Sequence, residues 1–162
     1  MADQNSKTLT IIRVFDAPLE KVWDAWTNPE MVKKWWGPKS FTAPSIKIDF
    51  RVGGKYLYAM HGPAGTQWDK DMWTMGEYKE IVPMQKIVAT DNFADKDGNV
   101  VSAKQYGMSR EFPELTLTVT FEEQDGKTKL TLRHEGFPVG DEVGAEQGWN
   151  QSLDKLAESV EA

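Results

Sequence analysis

"ELTLTVTFEEQDGKTKLTLRHEGFPVGDEVGAEQGWNQSLDKL" runs from Glu114 to Leu156 and holds two periodicities in succession. Leu115, Leu117, Val119 and Phe121 alternate with threonines, and Asp125-Gly126 leads into Leu130, Leu132 and His134. Side chains of a strand alternate between faces, and Asp-Gly tolerates the positive φ angles of a tight turn, so this is an antiparallel hairpin. From residue 141 the period changes. Trp149, Leu153, Leu156 and, just beyond the quoted stretch, Val160 fall on one stripe at 3.6 residues per turn, which predicts a long helix over 141–160. Its approach and first half carry glycine every fourth residue (Gly136, Gly140, Gly144, Gly148), although each helical glycine costs about 1 kcal/mol relative to alanine. Two readings fit. The glycines open a pocket under the N-terminal half of the helix, in which case Gly144→Ala is expected to destabilise or to reduce ligand uptake. Otherwise Gly136 and Gly140 are loop residues, and Gly144 and Gly148 allow a close approach to the sheet.

Upstream, the chain reads as one strand (8–17), two short helices, and then strands. "PLEKVWDAWT" places Leu19, Val22, Trp23 and Trp26 at helical spacing behind Pro18; "NPEMVKKWWGP" starts with a capping Asn28 and ends at Gly37-Pro38. "SIKIDFRVGGKYLYAMH" predicts two strands joined by a two-residue turn at Gly53-Gly54. Further strands lie at about 70–81 and 85–94, with Pro83-Met84 between them. Strands joined by short turns are antiparallel, and one sheet with helices on one face is an α+β architecture. A sheet of about seven strands tends to curl, and the long terminal helix would lie across its concave face. The segment 96–113 exceeds what a hairpin needs. Its apolar residues (Val100, Val101, Tyr106, Met108, Phe112) fit either a lid over a cavity mouth or a surface loop packed by its own side chains.

Composition narrows the function classes. An apolar fraction of 40% with seven Trp, seven Phe and four Tyr in 162 residues is that of one globular domain, here 8–160. No run approaches a membrane span, and the first residues lack the regions of a signal peptide. With no cysteine there are no disulfides, thiolate metal sites or cysteine nucleophiles. These features lead to the expectation of a cytoplasmic protein. The net charge of −6 opposes nucleic-acid and anionic-membrane binding.

Motifs for chemistry are sparse. His61 and His134 are the only histidines and fall on opposite strand faces, so no histidine metal cluster and no metal is expected. "GMSRE" (107–111) lacks the final glycine and the strand-to-helix turn of a nucleophile elbow. "DKDGN" (95–99) lacks the distal glutamate of a calcium loop and reads as a turn. "WDKDMW" (68–73) puts Asp69 and Asp71 on one strand face, either as an acid–base pair or as a solvated strand end. No phosphate-binding glycine loop precedes a helix, and no cofactor and no catalytic residue is assigned.

Several stretches together resemble a known family. "RVFDAPLEKVWDAWTNPEMVKKWWGP", "VGGKYLYAM", "GEYKEIVPMQKIVATDNF", "PELTLTVTFEE", "KLTLRHEGFP" and "GWNQSLDKL" are similar to the family of activator-of-heat-shock-protein-90-ATPase homologues, within the START/birch-allergen-like (SRPBCC) superfamily. The resemblance covers residues 8–160. It implies a helix-grip fold, in which a curved antiparallel sheet grips the C-terminal helix with a cavity between them. The superfamily hosts binders, cyclases and co-chaperone domains, so fold alone does not name a reaction.

With the face of Tyr56, Tyr58 and Met60 placed inward by the resemblance, the candidate cavity residues are Trp35, Tyr56, Tyr58, Met60, Trp73, Phe93, Tyr106, His134, Trp149 and Leu153. His134 shares parity with Leu130 and Leu132; it reads as a hydrogen-bonded core histidine, a polar ligand contact, or an acid–base group. The functional expectation is a non-catalytic domain binding a small hydrophobic molecule, monomeric or weakly dimeric. The alternatives are a co-chaperone-like domain whose partner is a heat-shock chaperone, and a cyclase- or hydrolase-like enzyme using His134. The full chaperone activator carries an additional N-terminal domain, and nothing of that size precedes residue 8, which weakens the expectation of ATPase stimulation.

Overall fold

A computed structural model describes residues 6–161. Seven strands form one antiparallel sheet: β1 (Ser6–Phe15), β2 (Thr42–Ile48), β3 (Lys55–His61), β4 (Asp71–Val82), β5 (Lys86–Ala94), β6 (Leu115–Gln124) and β7 (Lys127–Pro138), in the order β1-β7-β6-β5-β4-β3-β2. From β2 to β7 the chain meanders through neighbouring strands. β1 closes against β7, so the two edge strands are consecutive in sequence. Between them run helices α1 (Leu19–Thr27) and α2 (Pro29–Val32), and α3 (Asp141–Val160) follows the last strand. The sheet is curved around α3.

Local chemistry explains most of these elements. Asp125 and Gly126 have φ of 53° and 80°, as a two-residue turn between twisted strands requires. Asn28 caps α2, its side chain accepting from Glu30 N at 3.1 Å, and Pro29 fills the first turn, where no amide donor is needed. α2 ends at Val32, so Trp35 and Trp36 sit in the turn after it.

The Gly53-Gly54 turn is a correction. β2 ends at Ile48 and β3 begins at Lys55, leaving a six-residue connection. Gly54 N donates to Arg51 O at 2.8 Å and Gly53 has a φ of 86°, so the chain does reverse at the glycines, but inside a longer connection, and Gly53 N and Gly54 O also pair with Tyr78 O and N of β4. A Cβ on Gly54 would lie 2.1 Å from Asp49 O, so close backbone approach requires glycine there. The same holds at Gly76, where a Cβ would fall 1.8 Å from Thr90 O and into the Tyr56 ring.

The core lies between the sheet and α1 and α3. Trp23 and Trp26 of α1 meet Phe121 of β6 with ring centroids 5.1 and 6.4 Å apart, and Val22 and Ala25 of α1, Trp149, Leu153, Leu156 and Val160 of α3, and Leu9, Ile11, Leu130 and Leu132 of the sheet are buried in the same core. Arg13 ties β1 to α3, donating to Asn150 O at 3.0 Å and pairing with Asp154 at 2.7 Å. Burial in α3 is confined to its C-terminal half, Trp149 onward; Asp141–Gly148 contributes no fully buried side chain. No helix among the described residues is long and apolar enough to cross a membrane.

Candidate functional site

Beneath that bare N-terminal half of α3 lies a cavity of about 520 Å3. Its roof is Asp141, Gly144, Ala145 and Gly148 on successive turns of α3. Its floor comes from alternate residues of the strands, among them Met60, Met72, Thr74, Asp91, Phe93 and His134. A Cβ on Gly144 would meet nothing within 4 Å, and one on Gly148 would make ordinary contact with Pro38 at 3.6 Å. Neither glycine relieves a clash, so the expectation that Gly144→Ala destabilises is withdrawn. What these positions supply is the absence of bulk on the cavity side of the helix.

Two irregular segments form the side walls. The first, Trp36–Phe41, is held to α3 by a buried-stem lysine: Lys155 Nζ donates to Pro38 O and Phe41 O, each at 3.2 Å. Gln151 Oε1 adds a bond from Lys39 N at 3.0 Å. Partial desolvation depresses the Lys155 pKa below its ordinary value, opposed by the nearby Glu158 carboxylate. The second wall is the long connection between β5 and β6. It opens with a tight turn in which Asp95 accepts from Asp97 N and Asn99 N, each at 2.9 Å. A short 3-10 turn (Ala103–Tyr106) then buries Tyr106, whose hydroxyl donates to Ala94 O at 2.5 Å and accepts from Trp73 N at 3.3 Å. Phe93, Tyr106 and Phe112 contact one another through Phe93, with centroid distances of 6.0 and 5.4 Å. Arg110 reaches across to α3, pairing with Asp141 at 2.9 Å and donating to Val139 O. The segment therefore packs by its own aromatic side chains and forms a cavity wall at once.

Among apolar linings, one polar chain runs from the helix into the sheet. Trp149 Nε1 lies 3.0 Å from His134 Nδ1, and His134 Nε2 lies 2.9 Å from Asp91 Oδ2. An indole N–H can only donate, so Nδ1 accepts and the ring proton sits on Nε2, directed at the carboxylate. Asp91 Oδ1 accepts from Thr74 Oγ1 at 2.5 Å and, more weakly, from Tyr56 OH at 3.2 Å, whose single proton is shared with Thr90 O at 2.8 Å. Burial works to raise the Asp91 pKa, but the bonds from His134, Thr74 and Tyr56 outweigh it and hold the carboxyl below its ordinary value. Asp91 is thus an anion at the wall of an apolar cavity. Both His134 nitrogens are bonded within the protein, which leaves this histidine no free nitrogen for acid–base work on a substrate.

Of the ten residues singled out from the sequence, Met60, Trp73, Phe93, Tyr106, His134 and Trp149 line the cavity. The other four lie elsewhere. Trp35 is fully buried against α1, its Nε1 donating to Ala25 O at 2.8 Å, because the turn after α2 points it into the core. Leu153 is fully buried one turn below Trp149, on the packed half of α3. Tyr56 and Tyr58 face inward but sit beside Tyr78 and Trp26 around a separate space of only about 30 Å3. Burial pushes both phenols well above their ordinary pKa of 10, and Tyr78 up to about 12. The residue missed was Asp91. It shares parity with Ile87, Ala89 and Phe93, and a carboxylate on the buried parity of a strand was the available signal.

The paired carboxylates Asp69 and Asp71 clasp His61 instead of a substrate. Asp71 meets its Nδ1 at 2.7 Å and Asp69 its Nε2 at 2.8 Å. Those bonds, Asp71's first, raise the His61 pKa above 6.5. The two carboxylates lie on opposite nitrogens and so cannot converge on one ion; among the described residues no His, Asp and Glu group is arranged for a metal.

A curved seven-stranded antiparallel sheet around a long C-terminal helix, with an apolar cavity under that helix, defines the helix-grip class. The chain belongs to the family described as activator of Hsp90 ATPase homolog 1-like protein, whose profile matches residues 16–161. A solved protein from Chromobacterium violaceum is 30% identical, covering 96% of this chain and 97% of its own, with a TM-score of 0.77. One from Arthrobacter aurescens is 25% identical over 95% of this chain and 86% of its own, with a TM-score of 0.78. A protein from Silicibacter pomeroyi carrying the same family name is 22% identical over 94% of this chain and 96% of its own, with a TM-score of 0.71, and speaks for the fold alone. Comparison with curated proteins finds no significant match.

Proposed function

We propose that this chain is a binding domain for a small, mainly apolar molecule, held between the N-terminal half of α3 and the sheet. The observation that carries this reading is the cavity of about 520 Å3, within the usual size range of small-molecule sites and lined chiefly by aromatic and aliphatic side chains around one polar cluster. No catalytic role is assigned, since His134 is spent on Trp149 and Asp91. A thermal-shift screen of sterols, flavonoids, polyketides and fatty acids tests the reading. A ligand binding only the native state adds about 2.7 kcal/mol at 100 times its dissociation constant. In a chain of this length that is a rise on the order of 5–10 °C. A screen in which nothing shifts the transition counts against the reading.

The family description favours a second reading, a co-chaperone-like domain contacting an Hsp90-type chaperone. Retention of that chaperone on the immobilised protein, with stimulation of its ATPase, would support it; neither is expected from the cavity reading.

A further inference from the structure

Resting on the small-molecule reading, the donors and acceptors of the polar cluster say which ligands the cavity takes. Within that cluster the side-chain donors are already spent: Trp149 Nε1 on His134, His134 Nε2 and Thr74 Oγ1 on Asp91, Tyr106 OH on Ala94 O; the indole N–H groups of Trp36, Trp68 and Trp73 elsewhere in the wall can donate to a neutral acceptor but bring no positive charge. Asn92 Nδ2, beside Asp91, donates to Glu114 at 3.0 Å. Ser152, buried on α3, is the remaining hydroxyl of the wall and can give or take one bond. At Asp91 itself acceptors are in surplus. An ionised carboxylate offers about four lone-pair directions; Thr74 fills one on Oδ1, His134 one on Oδ2, and Tyr56 a third in part, since its single proton is shared with Thr90 O. Its side chain keeps 20% of its surface open.

Charge points the same way. The described residues lining the cavity include Asp91 and Asp141 but no lysine or arginine, and the nearby Arg110 is committed to Asp141. A ligand carboxylate would enter an apolar space with no counter-cation and an anion already in the wall, which is costly. A hydroxyl or ammonium would instead complete the shell of Asp91 by a charge-assisted bond. The faces of Trp36, Trp73 and Phe93 nearby suit an aromatic frame and a cation alike.

We propose that the cavity selects aromatic or polycyclic molecules bearing one hydrogen-bond donor, a hydroxyl or a protonated amine, bound by Asp91, and rejects their carboxylates.

The test uses three probes sharing one frame, 2-naphthylmethylamine, 2-naphthylmethanol and 2-naphthoate, titrated calorimetrically into the full chain at pH 7. The expected result is that amine and alcohol bind at least roughly tenfold more tightly than the carboxylate, as hydrogen bonds to a charged group allow. Asp91→Asn should shrink the gap between amine and carboxylate; should that variant fail to fold, the wild-type ranking decides alone. A carboxylate binding as well as the amine, or an unchanged gap in folded Asp91→Asn, overturns the proposal and leaves the cavity as a binding site. No binding by any probe overturns the proposal together with the small-molecule reading on which it rests.

Discussion

Trp149 serves the core and the cavity wall at once, and two substitutions separate its contributions. Its indole stacks on Trp26 with centroids 6.1 Å apart, meets Trp36 edge-on at 5.5 Å, and donates to His134. Trp149→Ala removes all of this from a side chain that is 8% exposed. Large-to-alanine changes at such sites cost about 3–5 kcal/mol. For a chain of this length that lowers the thermal midpoint by on the order of 10 °C. Trp149→Phe keeps an aromatic ring but leaves His134 Nδ1 without its donor, inside a cluster shielded from solvent. An orphaned buried acceptor costs roughly 1–3 kcal/mol, so Phe should fall between wild type and Ala. Urea denaturation measures both values, and nitrogen NMR of His134 reads the ring proton directly. Wild type should show the proton on Nε2, with that signal perturbed in the Phe variant. A proton on Nδ1, or a Phe variant as stable as wild type with His134 unchanged, refutes the assigned hydrogen-bond direction. An Ala variant with an unchanged midpoint refutes the gripping of the sheet by α3.

Gly144→Ala should stabilise by up to about 1 kcal/mol, because the methyl enters open space and alanine favours the helix; a loss of stability by calorimetry would mean that the cavity face tolerates no added atom. The His61 clasp should depend on pH with a defined sign. Its folded pKa lies above 6.5, so its contribution is complete below 6.5 and fades as pH rises through the folded value. The folded Asp69 pKa lies below 3.8, with the bond from His61 as the leading cause, so the carboxylate side is lost only as pH falls through that lower value. Proton NMR should find His61 titrating above 6.5 in wild type and lower in Asp71→Asn; an identical midpoint in the two would contradict the clasp.

What could be read from the sequence was what depends on neighbours in the chain. The Asp125-Gly126 hairpin, the parity of β6 and β7, and the Trp149–Val160 stripe follow from local periodicity, and the glycine-marked half of α3 is the half that carries no core. Trp35 escaped because its direction is set by a turn, where neither the period of a helix nor that of a strand applies. At Gly53-Gly54 the reversal was legible but its length was not, because the glycines also pair with Tyr78, a residue of a different strand. Tyr56 and Tyr58 have the inward parity expected, yet parity fixes a face and not a depth, and the Tyr56 ring lies over Gly76 of β4, where a side chain would displace it. Asp91 gathers partners from β3, β4 and β7, and through His134 from α3. Such a cluster exists only once the sheet is assembled, although a lone carboxylate on a buried parity marks where to look.

The most direct test of the account is ligand binding before and after the cavity is filled. Met60 lies on the cavity wall near Gly37 and outside the buried core of α3, so Met60→Trp should add bulk to the space while leaving the fold in place. Calorimetric titration of an aromatic ligand identified by thermal shift should give saturable, single-site binding to wild type. The account predicts that Met60→Trp, folded by circular dichroism, loses that binding. Equal affinity in both proteins would place the ligand elsewhere and contradict the cavity as the functional site.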